Sequence, residues 1–157
     1  MRRLFVSYIR PQLEYACAVW SPLDVASKSR LELVQRRFTK YVTGFFHLSY
    51  RERLARLNLD SLEFRRNLLV VCFVHKLLHG MFSVSPASVG LNLCHNNTRS
   101  ANIKLTVPRP NFTLFKSSFM YRAVVLYNSL PYDILLTRNS SLFKNRVANH
   151  WREEGAW

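Results

Sequence analysis

Apolar residues recur at three- and four-residue steps from Leu31 to Gly44: Leu31, Val34, Phe38 and Tyr41, with Val42 beside them. At about 100° per residue they fall on one stripe, so the pattern predicts an amphipathic helix with that stripe buried. Arg30, Arg36, Arg37 and Lys40 fall on another sector, and Gly44 follows the last apolar position, where a left-handed cap costs least. Asp24 or Ser27 can cap its start. Ser49 with Glu52 three residues on forms a capping box and predicts a helix to about Leu57. Asp60 with Glu63, or Ser61 itself, opens the next helix, which runs to Gly80 and is nearly all apolar from Leu68 to Val74. A helix apolar all round belongs at the centre, so this one is the expected hub.

Upstream, residues 2–9 predict a short helix that Arg10-Pro11 should break or kink. Pro11 can open a second one ending near Trp20, with a turn at Ser21-Pro22. Downstream, neither period holds from Met81 to Ser100, which reads as a long loop. Ile103, Leu105 and Val107 alternate with polar residues, Pro108 to Asn111 turns the chain, and Phe112 to Phe115 is apolar-rich, which admits a small hairpin. Ser117 or Ser118 opens a helix stopped by Pro131, and a last helix, capped within Asn139 to Ser141, carries Leu142, Phe143, Val147 and Trp151. The expected fold is mainly α: a helical bundle around a central apolar helix, with room for a small β-hairpin in the second half. Its expected parts are a bundle over 1–80, a loop over 81–116 and C-terminal helices over 117–157, all in one domain.

Charge changes this picture most. The 157 residues hold 23 Lys and Arg against 9 Asp and Glu, a net +14, and the excess is +7 in residues 1–66 and +7 in 67–157. Cations spread through the whole chain fit a polyanionic partner, since counterion release from RNA or DNA backbone supplies affinity without sequence readout. The plainer alternative is a basic surface kept for solubility. Three widely spaced cysteines, Cys17, Cys72 and Cys94, give no disulfide framework and point to a reducing compartment, so the expected location is intracellular, nuclear or cytoplasmic. Arg10 and Pro11 cut the first apolar run too short for a signal peptide. The run Leu68 to Val74 is far shorter than the roughly 18 to 20 residues a membrane span needs, so no membrane partner is expected.

Catalysis by two metal ions needs converging carboxylates, but Asp24, Asp60 and Asp133 are far apart and the one adjacent acidic pair is Glu153-Glu154. The chain by itself is therefore expected not to be an enzyme. Cys72, His75 and His79, with Cys94-His95 beyond, invite a zinc site, but the paired ligand spacing of structural zinc is missing, and the bland reading is a core cysteine with histidines at its edge. The four glycines, at 44, 80, 90 and 155, cannot form a phosphate loop. No metal, cofactor or small-molecule substrate is expected.

Backbone contact with nucleic acid is the better supported chemistry. Arg36, Arg37 and Lys40 lie on one predicted helix, Arg51, Arg53 and Arg56 on the next, and Arg65 and Arg66 open the hub. Arginine's planar fork donates two bonds to one phosphate. Tyr41, Phe45, Phe46 and Tyr50 interleave with these cations and could stack on unpaired bases. Against this, most of these aromatics fit a core, and Glu32, Glu52 and Glu63 can pair with some arginines at helical spacing.

Several strings in order carry a family resemblance: Arg10-Pro11-Gln12-Leu13-Glu14-Tyr15-Ala16, Val19-Trp20, Val34-Gln35-Arg36-Arg37-Phe38-Thr39-Lys40 with Gly44, and Ser49 to Leu54. Leu57, Leu59, Ser61-Leu62-Glu63, Arg65-Arg66, Ser118-Phe119, Arg122, Asn128, Leu130-Pro131 and Phe143-Lys144 continue it over nearly the whole chain. Together they resemble the thumb-like region after the polymerase core of non-LTR, LINE-type (jockey-like) retrotransposon reverse transcriptases. Tyr127 stands where that family more often has tryptophan. The resemblance implies a non-catalytic, nucleic-acid-binding C-terminal part of an RNA-directed DNA polymerase with endonuclease, whose core is a further partner. Arg36, Arg37, Lys40, Arg51, Arg53, Arg65 and Arg66 are the expected backbone contacts. The alternatives are a structural module that packs on that core, or a pseudogene product without function.

Overall fold

The computed structural model describes residues 2–22, 24–42, 44–94, 103–109 and 118–155. The protein is mainly helical, and its chain falls into two units: Met1–Arg66 with Gly155–Trp157, and Asn67–Glu154. The division lies within one helix, and at neither residue 80 nor residue 116.

In the first unit α1 (Arg2–Leu4), a π-helical turn over Phe5–Ile9 and α2 (Arg10–Glu14) follow without interruption. Of the break or kink expected at Arg10-Pro11, the break does not occur: Arg10 is itself helical, at φ −58° and ψ −42°. Proline offers no N–H and its ring crowds the carbonyl four residues back, here that of Ser7. The Arg10 N–H instead reaches the Phe5 carbonyl, five residues back, and this wider turn accommodates the ring. The chain turns later, at Tyr15 and Ala16, where Ala16 takes a left-handed φ of +48°, before α3 (Cys17–Trp20).

Helix α4 (Val25–Lys40) is capped by Asp24, whose Oδ2 accepts the Ser27 N–H at 2.7 Å. That bond holds the Asp24 carboxyl below its usual range. The buried stripe expected on this helix is only partly realised. Phe38 turns inward and stacks on Phe5 with centroids 4.4 Å apart, but Val34 is 39% exposed and Tyr41 77% exposed. The residues that α4 buries completely are polar: Glu32, Gln35 and Thr39.

Helix α5 (Tyr50–Leu57) has both halves of the Ser49–Glu52 capping box and ends on Asn58 at φ +49°. Arg2 Nε donates to the Leu57 carbonyl at 2.6 Å, satisfying an acceptor that the helix end leaves open. Helix α6 (Leu62–Leu78) begins with Ser61 Oγ accepting the Phe64 N–H at 3.2 Å. It closes through Gly80 at φ +66°: Gly80 N–H donates to Leu77 O and Met81 N–H to Lys76 O, at 3.2 and 2.9 Å. This paired closure needs a left-handed residue, which glycine supplies without strain.

The second unit takes α6 from Asn67 onward, where Leu68, Val70, Val71, Val74, His75 and Leu77 are buried. Ser118 caps α7 (Phe119–Asn128), which buries Ala123, Val124 and Tyr127. Burial pushes the Tyr127 phenol up to about 12. A short α8 (Tyr132–Leu135) precedes α9 (Ser140–Glu153), whose cap is Asn139 and whose buried face is Phe143, Val147, Ala148 and Trp151. Fully burying a side chain of this size contributes about 1.5–3 kcal/mol, so these faces carry the unit.

Among the described residues the only extended pairing is one antiparallel bridge, Leu93 with Leu105. Cys94 N–H donates to Lys104 O and Thr106 N–H to Asn92 O, both at 2.8 Å. The segment around Leu105 thus pairs upstream, and the second hairpin arm expected at Phe112–Phe115 lies outside the described residues. From the other side, the Asn128 amide grips Leu105: Oδ1 accepts its N–H at 2.9 Å and Nδ2 donates to its carbonyl at 2.7 Å.

Candidate nucleic-acid interface

Lys28, Glu32, Gln35 and Thr39 step along one face of α4 at helical spacing, and each meets a partner. Lys28 Nζ donates to Glu63 Oε1 at 2.6 Å. The Glu32 carboxylate accepts the Leu62 N–H, at 3.2 and 3.0 Å to its two oxygens, and also the Tyr50 hydroxyl. Glu32 therefore supplies the negative charge that the start of α6 favours. Gln35 Nε2 donates to Tyr50 Oη at 3.1 Å and to the Asp60 carbonyl at 3.0 Å. Thr39 Oγ1 accepts from Arg53 Nε at 3.1 Å, while Arg53 Nη1 donates to Leu48 O at 2.6 Å. Burial, reinforced by the Glu32 carboxylate, holds the Tyr50 phenol far above its ordinary range, so it stays a donor.

This network sorts the expected contact residues. Arg36, Arg37, Lys40 and Arg51 are exposed. The Arg36 guanidinium stands over the Tyr50 ring, 4.8 Å from its centroid, which restrains it without using up its donors. Arg53, also expected at the surface, is 4% exposed, and its fork is committed to Thr39 and Leu48. Arg66 is 1% exposed, so its guanidinium is closed off from an external phosphate. Its Nε and Nη1 have no hydrogen-bond partner among the described residues. Arg65 is half-buried and engaged by both oxygens of Glu14, a bond that raises its pKa. Of the aromatics, Tyr41 and Phe46 are exposed, whereas Phe45 and Tyr50 are half-buried.

Five of the six acidic residues of the first unit are turned to internal use. Glu14 holds Arg65, Asp24 caps α4, Glu32 joins Tyr50 to Leu62, Glu52 closes the capping box and Glu63 holds Lys28. Arg36, Arg37 and Lys40 make no ion pair among the described residues. Their charge faces solvent unneutralised. Beside them lies a groove of about 450 Å³. It is lined by Val25, Lys28, Ser29, Glu32 and Arg36 of α4, Tyr50, Arg51 and Leu54 of α5, Ser61 and Glu63 at the start of α6, and Gly155.

The Glu32, Gln35, Tyr50 and Arg53 network has no apolar periodicity to announce it. A signal for it exists: positions 28, 32, 35 and 39 form a helical stripe of their own, made of polar residues.

Among the described residues no group of three or more His, Cys, Asp or Glu side chains is placed to hold a metal ion. Cys72 is buried, which raises its thiol pKa. His75 Nε2 lies 2.6 Å from the Thr137 carbonyl and must carry the proton there, and the ring stacks on Phe143 at 3.9 Å. His79 is 4.3 Å from His75, centroid to centroid, while His95 lies outside the described residues. No described helix is long and apolar enough to cross a membrane. Comparisons with protein-family models, with curated proteins and with solved structures find no match for this chain.

Proposed function

We propose that the chain is a non-catalytic, nucleic-acid-binding part of a LINE-type retrotransposon reverse transcriptase that holds template RNA or target DNA by its backbone. The parent would be an RNA-directed DNA polymerase with endonuclease, acting inside the cell. The observation that carries the binding role is the outer face of α4, where Arg36, Arg37 and Lys40 are exposed and make no ion pair among the described residues. Arg51, exposed on α5, is a further proposed contact; Arg53, Arg65 and Arg66 act instead from within the fold. The parentage rests on the sequence resemblance, and α6, with its buried run, is the proposed hub of the helical bundle.

Binding should fall steeply with salt, because each phosphate neutralised releases counterions; three contacts predict roughly a twentyfold to fortyfold loss from about 50 to about 200 mM salt. The combined reversal R36E/R37E/K40E should remove most of that dependence while circular dichroism stays helical. Filter binding checks both. Affinity indifferent to salt, or to the three reversals, would remove this face from the site.

A second reading, that the unit packs on the parent's polymerase core, is favoured by a different observation. Leu4, Tyr8, Tyr15, Val19 and Val25 are all more than 60% exposed, an unusual density of large apolar side chains in contact with water. It predicts concentration-dependent self-association in sedimentation at high salt, where the basic-face reading alone predicts a monomer.

A further inference from the structure

The groove between α4 and α5 carries chemistry that backbone tracking does not require. A surface that holds only phosphates needs cations, yet this groove also offers the exposed apolar side chain of Val25 and the carboxylate of Glu63. At about 450 Å³ it falls in the size range of clefts that enclose a small organic group. A carboxylate repels a phosphate but accepts from a donor. Glu63 Oε1 takes the Lys28 ammonium, and a carboxylate has two oxygens, each able to accept more than one bond. Side-chain exposures of 33% for Lys28 and 47% for Glu63 leave this pair within reach of a ligand.

Resting on the nucleic-acid reading above, we propose that the groove takes one unstacked nucleotide of a single strand, its phosphate on Arg36, its base against Val25, and an amino-bearing base edge on Glu63. A base inside a duplex cannot enter, because its edge is paired and its faces are stacked. Cytosine presents an amino group at the position where uracil presents a carbonyl oxygen, and a carboxylate accepts from the first and repels the second. The groove therefore selects cytosine over uracil in strands of equal charge and size.

The test is fluorescence anisotropy on the full chain with labelled oligocytidylate and oligouridylate of about a dozen nucleotides, at low salt where backbone contacts are strong. Wild type should bind the cytidine strand about tenfold more tightly. Glu63→Gln, whose amide can also donate to a carbonyl, should bring the two within about twofold. Val25→Trp, at a position 78% exposed, fills the groove from its rim and should do the same without unfolding the chain. The double reversal R37E/K40E should weaken both strands alike and leave their ratio intact. Equal binding of the two strands by wild type, or an unchanged ratio in both groove variants, overturns the proposal while salt-dependent binding upholds the basic face. No salt-dependent binding of either strand overturns both.

Discussion

Glu32→Ala is expected to cost the first unit about 3–5 kcal/mol, a large share of the 5–15 kcal/mol that ordinarily holds a domain together. The carboxylate is 8% exposed, and its removal strips partners from two groups at once. The half-buried Tyr50 hydroxyl loses its acceptor, and the Leu62 N–H, at the start of α6, loses the anion that caps it. A buried donor left without a partner costs about 1–3 kcal/mol, more when the lost partner was charged. Glu32→Gln keeps an acceptor oxygen and should cost about half as much. Tyr50→Phe removes only the hydroxyl and should cost about 1–2 kcal/mol. Because the residues act through one hydrogen bond, the double variant E32Q/Y50F should lose less than the sum of the two single losses. Urea denaturation followed by circular dichroism gives these values. A Glu32→Ala midpoint equal to wild type would show that the network holds nothing together.

The second large effect concerns acid. His75 is wholly buried, its Nε2–H committed to the Thr137 carbonyl and its Nδ1 without a partner among the described residues. Burial lowers its pKa below the ordinary 6.5, the Thr137 bond opposes that shift, and the neighbouring His79 adds to the lowering. His79 is itself lowered, by burial and then by Arg138. The folded chain therefore resists a proton that the unfolded chain accepts. Stability due to these groups is complete above about pH 6.5 and falls as the pH drops toward their folded values, by at most about 1.4 kcal/mol per pH unit for His75. Loss should begin well above the range near pH 4 in which carboxylates ordinarily titrate. Replacing both histidines, H75Q/H79Q, keeps a donor for Thr137 and removes the titration, so stability between pH 5 and 7 should flatten. Thermal melts across that range decide it, and equal slopes in wild type and variant would assign the acid sensitivity elsewhere.

The parts of the fold legible in the sequence are those fixed by neighbours in the chain. Asp24, Ser49 with Glu52, Ser118 and Asn139 cap the helices they were expected to cap, because a cap is a bond between a side chain and a backbone N–H two or three residues away. The inward face of α4 was not legible. Periodicity weighs apolar residues, whereas this face is polar and joins Glu32 to Tyr50 and Leu62, 18 and 30 residues further on. For the same reason exposed and committed arginines look alike in sequence: Arg51 and Arg53 are two positions apart, and only the second points at Thr39 and Leu48. The bond from His75 to Thr137 spans 62 residues and leaves no local trace.

The Asn128 grip on Leu105 bears on what the open side of a short extended segment can pair with. A short extended segment with one bridged side normally leaves its other side as a row of open donors and acceptors, an invitation to a strand from another molecule. Here a single side-chain amide, offering one donor and one acceptor at the spacing of a peptide group, occupies that side at Leu105. Asn128 thus acts as a one-residue counterfeit strand: at Leu105 it takes the donor and the acceptor that a neighbouring strand would need.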